Sequence, residues 1–110
     1  MSDILRELGR ILAERRQSSP ADSYVASLYA RGLDAICQKV NEEAAEVIEA
    51  AGRGDRDAIV HEVADLWFHT LVLLSHSGLE PEAVLAELER RFGRPGLEEK
   101  AARAGKPRPD

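Results

Sequence analysis

Leu33-Asp-Ala-Ile36-Cys37-Gln38-Lys39-Val40-Asn41-Glu42-Glu43-Ala44-Ala45-Glu46-Val47-Ile48-Glu49-Ala50-Ala51 is followed by Gly52-Arg53-Gly54 and then by Asp55-Arg-Asp-Ala-Ile59-Val60-His61-Glu62-Val63-Ala64-Asp65-Leu66-Trp67-Phe68-His69. At about 100° per residue, Ile36, Cys37, Val40, Ala44, Val47, Ile48 and Ala51 form one apolar stripe. Ile59, Val60, Val63, Trp67, Leu71 and Leu74 form a second at the same period. The pattern predicts two long helices, over 33–51 and 55–77, the second capped by Asp55 and ended by Gly78. So short a glycine-bearing connection makes them antiparallel neighbours.

Outward from this pair the periodicity stays helical. Ile4, Leu5, Leu8, Ile11 and Leu12 recur at helix spacing, with Ser2 or Asp3 as the cap. Ser18-Ser19-Pro20 interrupts and restarts the pattern, with Ser19 as cap, Pro20 in the first helical position and Asp22 completing an S-x-x-D box. That short helix carries Tyr24 and Leu28 and stops at Gly32. Pro81 opens a last helix that closes at Gly93. No run alternates with strand period, so the expectation is all-α: an antiparallel helical bundle of about four helices with two long central ones. Residues 1–92 form the helical domain. The 93–110 tail holds three of the five prolines and three of the eight glycines, which limits it to a short helix around 97–104 and a frayed end.

Composition narrows the function classes. The chain has 110 residues, 44% of them apolar, enough for one domain with a core. Twenty acidic against fifteen basic residues give a net charge of -5. That balance argues against a general binder of nucleic acid or of anionic membranes, which would need a basic surface. A single cysteine, Cys37, excludes an internal disulfide and fits a reducing compartment. It lies on the apolar stripe and is expected as a packed thiol. The N-terminus has no apolar h-region and the longest strongly apolar stretch is Leu71 to Leu74, so no secretory signal or membrane span is expected. The expected location is the cytoplasm.

The chemistry lies in the acids of the two long helices. Glu43 and Glu46 lie on one flank of the first stripe, while Glu42 and Glu49 point roughly opposite it. Glu62 lies on the flank of the second stripe and Asp65 just beyond, on the same angular side. With Gly54 as the hairpin centre, Glu46 stands level with Glu62 and Glu43 with Asp65. A solvated face is the ordinary fate of charged helix residues, yet four carboxylates from two helices converge here. Held together they repel and raise one another's pKa values. A hard divalent cation, magnesium or manganese, relieves that conflict. One turn further from the hairpin, Lys39 and His69 fall on the same flank, where a phosphate chain bridging to the metal would lie. The plainer readings are an i,i+4 pair of Lys39 with Glu43 and a hydrogen-bonded structural role for His69. His61-Glu62-x-x-Asp65 lacks the second histidine of a zincin, and no Glu-x-x-His, P-loop or G-x-G-x-x-G motif is present. Tyr24, Tyr29, Trp67 and Phe68 are expected in the core or an interface.

Glu42-Glu43-x-x-Glu46 followed by Glu62-x-x-Asp65 resembles the signature of the MazG-like all-α nucleotide pyrophosphatases. Within them, three further segments resemble the phosphoribosyl-ATP pyrophosphatase family of histidine biosynthesis. They are Ser23-Tyr24-Val-Ala-Ser-Leu28-Tyr-Ala-Arg-Gly32, Gln38-Lys39-Val40-x-Glu42-Glu43 and Glu62-x-Ala-Asp65-Leu66-x-x-His69. The tail segment Gly96-Leu-Glu-Glu-Lys100-Ala101 fits as well. Asn41, where the family pattern has glycine, and Tyr29, where a smaller aliphatic residue is usual, depart from it.

The resemblance implies magnesium-dependent hydrolysis of phosphoribosyl-ATP to phosphoribosyl-AMP and pyrophosphate. It implies Glu43, Glu46, Glu62 and Asp65 as metal ligands and Glu42 as an extra ligand or water-orienting carboxylate, beside the catalytic Glu43 and Glu46. It also implies Ser23, Tyr24, Lys39, His69, Lys100 and Arg103 around the substrate. Two other functions are weighed: hydrolysis of another, house-cleaning nucleoside triphosphate, and a non-enzymatic helical interaction module. The Ser23-Tyr24 and Glu98-Glu99-Lys100 segments favour phosphoribosyl-ATP. A homodimer is expected because Ala64, Phe68 and Val72 extend the apolar surface of the second long helix beyond what one partner covers.

Overall fold

The computed structural model describes residues 3–93 and, among them, helices without strands. In chain order these are α1 (Ile4–Glu14), a 3-10 turn (Arg15–Gln17), α2 (Tyr24–Arg31), α3 (Leu33–Arg53), α4 (Arg56–His76) and α5 (Pro81–Phe92). The chain divides into two compact units, Met1–Glu80 and Pro81–Asp110. The expected 97–104 helix, Lys100 and Arg103 lie outside the described residues.

In the first unit α3 and α4 form a hairpin. Gly54 closes α3 with φ 66°, a left-handed conformation that a side chain would strain. Asp55 then caps α4, its carboxylate accepting the Ala58 N–H at 3.1 Å. The α2 boundary differs from the sequence expectation. Ser23 is its N-cap, accepting from the Ala26 N–H at 3.1 Å. Ser19 instead belongs to a turn, in which the Asp22 N–H bonds to the Ser19 carbonyl. A serine or threonine box next to proline suits a turn as well as a helix start, and Ser23 supplies the better-placed oxygen.

The core joins Leu12 of α1, Val25 and Leu28 of α2, Ile36 of α3, and Leu71 and Val72 of α4. Leu5, Leu8, Tyr29, Phe68, Leu73 and Leu74 pack around it. Burying each of the fully enclosed leucine and isoleucine side chains contributes about 1.5–3 kcal/mol. Polar ties hold the cover in place. The Tyr29 hydroxyl donates to the Leu12 carbonyl at 2.9 Å, and Arg16 donates to the Ser75 carbonyl at 2.9 Å. The Arg16 guanidinium also lies over the Tyr29 ring. These contacts use the bulk and hydroxyl of Tyr29 in place of a smaller aliphatic side chain.

The phase of both long helices differs from the stripe reading. On α3 the buried residues are Ile36, Glu43 and Ala50, while Cys37 and Ala51 are exposed and Ile48 is 72% exposed. On α4 His69, Leu71, Val72 and Ser75 are buried, whereas Val60 and Trp67 are 70% and 59% exposed. Cys37 is therefore a surface thiol within the chain, and Trp67 is outside its core. Val72 is enclosed and Phe68 half-buried, so neither is part of an uncovered surface. An apolar stripe identifies residues that avoid water without naming the neighbour that covers them. Here α1 and α2 pack against the hairpin over the core, while Ile48, Val60 and Trp67 stay exposed.

By length and composition α4 is apolar enough to cross a bilayer. Its middle carries Glu62, Asp65 and His69, however, and its inward side completes the core, as expected of a central helix. In the second unit, α5 carries an exposed apolar edge of Val84, Leu85, Leu88 and Phe92. Its polar side is laced by Glu87 with Arg90 and Arg91.

Candidate active site

The polar line of α3 and the polar line of α4 meet across the hairpin. Glu43, on the inward side of α3, is only 6% exposed. Glu46, one turn on, is exposed, and Glu62 of α4 is half-buried. Carboxylate oxygens of these three lie within 4.8 Å of one another. Glu62 also belongs to a second group with His61 and Asp65, whose ligand atoms lie equally close. Asp65 thus adjoins the cluster through Glu62, and its carboxylate lies 3.5 Å from His61 Nε2.

The electrostatics follow from this crowding. The Glu46 carboxyl is held above the usual carboxylate range, first by Glu43, then by Glu62, by desolvation and by Asp65. Among the described residues, one ammonium faces the group. Lys39 reaches Glu42 at 3.3 Å and Glu43 at 3.4 Å. Burial pulls the Lys39 ammonium down, but its hydrogen bonds to Glu42 and Glu43 and the nearby Tyr24 hold it net above its ordinary value. A single ammonium shared by two acids leaves the cluster with excess negative charge.

Glu62 Oε1 is buried and has no hydrogen-bond partner among the described residues. An orphaned anionic oxygen in a group of converging carboxylates costs free energy unless a cation completes it. The donor set is all oxygen apart from His61 at its edge, which suits magnesium or manganese better than a softer metal. Other acids are differently placed. Glu42 is half-buried beside Lys39, whereas Glu49 is exposed and paired with Arg53 at 2.7 Å.

His69 and Tyr24 form a contact between α4 and α2. The Tyr24 hydroxyl lies 2.8 Å from His69 Nε2, and His69 Nδ1 lies 2.8 Å from the Asp65 carbonyl. Phe68 stands edge-on to the imidazole. His69 is therefore a buried, hydrogen-bonded residue bridging towards Tyr24, and Ser23 is a helix cap. Sequence reasoning did not place His61 among the acids, although the i,i+4 spacing of His61 and Asp65 signals it. It had no signal for the Tyr24–His69 bond, whose partners are 45 positions apart.

The family model for phosphoribosyl-ATP pyrophosphohydrolase matches residues 5–92. The chain is also 55% identical over 101 residues to a phosphoribosyl-ATP pyrophosphatase of Methylococcus capsulatus, covering 92% of this chain and 96% of that one. With a match that runs from α1 through α5 and takes in every carboxylate of the hairpin cluster, this chain belongs to the phosphoribosyl-ATP pyrophosphohydrolase family.

Proposed function

We propose that the protein hydrolyses phosphoribosyl-ATP to phosphoribosyl-AMP and pyrophosphate, a step of histidine biosynthesis, in the cytoplasm. Water adds at phosphorus, and the bond between the α and β phosphates breaks. The observation that carries this reading, beside family membership, is the convergence of Glu43, Glu46 and Glu62 next to Lys39. Glu43, Glu46, Glu62 and Asp65 would hold magnesium, with manganese as a substitute. Bound there, the metal neutralises the triphosphate and supports the charge on departing pyrophosphate. Lys39, already shared between Glu42 and Glu43, turns to the phosphates when they enter. Glu42, released from Lys39, is placed to orient water. Pyrophosphate release from a panel of phosphoribosyl-ATP and ordinary and noncanonical nucleoside triphosphates, with magnesium and with chelator, tests the reading. A preference for another triphosphate, or release that ignores chelator, overturns it.

The working form is a homodimer. Ile48 and Val60, level with one another across the hairpin, and Trp67 further along α4 give a largely exposed apolar surface on the hairpin. Such a surface is costly in water and self-complementary about a two-fold axis. Sedimentation of wild type and Trp67→Glu checks this: wild type runs as a dimer and the variant as a smaller species. A fully active wild-type monomer at micromolar concentration refutes it.

A further inference from the structure

His61 faces water beside the acid cluster, and neither the core nor the hydrolytic reading above uses it. Its side chain is 72% exposed and its Nε2 lies 3.5 Å from Asp65 Oδ2. Ligand atoms of His61, Glu62 and Asp65 all lie within 4.8 Å of one another. The other two histidines are engaged elsewhere. His69 makes contacts at 2.8 Å through both ring nitrogens, and His76 stacks on the Tyr29 ring. As an ion pair at this exposure, His61 and Asp65 contribute little to the fold. As a chelate they are well placed, because adjacent turns of one helix present a nitrogen and an oxygen together. Ligands about 2.1 Å from one ion and 3.5 Å apart subtend about 110° at it, close to the tetrahedral angle of zinc. Glu62 adds a third ligand, and its Oε1 is buried without a hydrogen-bond partner among the described residues.

We propose that His61, Glu62 and Asp65 form a zinc site that borrows carboxylates from the magnesium group and, when filled, inhibits the enzyme. The donor chemistry separates the two ions. Glu43, Glu46 and Glu62 offer oxygen alone, which suits magnesium, whereas an imidazole nitrogen favours zinc. Glu62 belongs to both groups, so zinc held by His61 draws that carboxylate away from magnesium. The inhibition rests on the hydrolase reading above, and the zinc binding stands without it.

The test is calorimetric titration of the metal-free protein with zinc, for wild type, His61→Gln and Cys37→Ser, with X-ray absorption at the zinc edge of the loaded wild type. Even the outer partners of a metal ligand are worth about 10- to 100-fold in affinity, so losing the His61 nitrogen itself should weaken zinc binding at least about tenfold. Cys37→Ser should bind zinc as wild type does, and the absorption spectrum should show imidazole and oxygen without sulfur. Without zinc, His61→Gln should match wild type in melting temperature and in magnesium-dependent pyrophosphate release. Zinc should inhibit wild type, and inhibition of His61→Gln should need at least about ten times more zinc. Equal zinc affinity in wild type and His61→Gln, or a sulfur ligand in the spectrum, overturns the site. Zinc bound through His61 without inhibition overturns the sharing of Glu62. If wild type releases no pyrophosphate from phosphoribosyl-ATP, the hydrolase reading falls, and the titration and the spectrum still decide whether His61 holds zinc.

Discussion

Glu46 and Glu87 are both glutamates on helices, and their surroundings push them in opposite directions. On α5, Glu87 accepts from Arg90 at 3.1 and 2.8 Å and from Arg91 at 2.8 Å, all within one turn. Hydrogen bonds from Arg90 and then Arg91 draw its carboxyl down to about 2. On the hairpin, Glu46 meets Glu43 of its own helix and Glu62 of the next, and its carboxyl rises. One helix neutralises its own acid with local pairs. The hairpin instead brings acids together from separate segments and, among the described residues, sets Lys39 against them. Like charge gathered at that spot does not favour the fold, and such places are where functional sites are sought.

The largest way to break this comparison is to remove one acid from each setting. Glu46→Gln or Glu62→Gln should lower magnesium-dependent pyrophosphate release by at least about a hundredfold, as losses of charge-stabilising groups commonly do. Glu49→Gln and Glu87→Gln should stay near wild type. Equal losses at Glu46 and Glu49 would show that the count of acids matters and their convergence does not.

Much of this was legible in the chain, and the limits are physical. The two long helices were expected over 33–51 and 55–77 and run Leu33–Arg53 and Arg56–His76, because glycine and a capping aspartate punctuate them. The level of Glu46 with Glu62 follows from the short hairpin alone. Rotation about each axis was not legible. Ile48, Val60 and Trp67 look like core in the pattern and are exposed in the chain, since periodicity records avoidance of water and not the identity of the cover. The Tyr24–His69 bond joins segments whose relative placement depends on how α2 packs, which no local pattern encodes.

A second, smaller effect lies in stability. Magnesium should raise the melting temperature by mass action, by about 10 °C at a hundredfold excess over Kd for a domain of this size. The unfolded chain has no assembled cluster to bind it. The rise should shrink sharply in Glu62→Gln. In chelator the order reverses, and Glu46→Gln should melt a few degrees above wild type, because it removes the acid that its neighbours repel most clearly. Asp65→Asn should gain less, because Asp65 already has His61 beside it. Paired melts in chelator and in excess magnesium read all of this. A Glu46→Gln variant less stable than wild type in chelator would mean that the carboxylate has a stabilising partner in the fold.

The smallest effect is the opposite pH dependence of the two glutamates. Glu46 has a folded pKa above the ordinary 4.5, so its favourable contribution is complete below that value and is lost as pH rises through the raised one. The metal-free protein should therefore lose stability on this account as pH rises out of the carboxylate range, and Glu46→Gln should remove that part of the slope. Glu87 runs the other way. Its contribution is complete above 4.5 and is lost as pH falls towards about 2. Both side chains face water, so salt weakens each effect. Only the difference between wild type and each variant isolates one acid from the remaining carboxylates. Thermal melts in chelator across this range should give a Glu46→Gln difference that grows with pH and a Glu87→Gln difference, opposite in sign, that disappears at the acid end. Two differences that moved with pH in the same direction would mean that the arginines of α5 do not distinguish its glutamate from those of the hairpin.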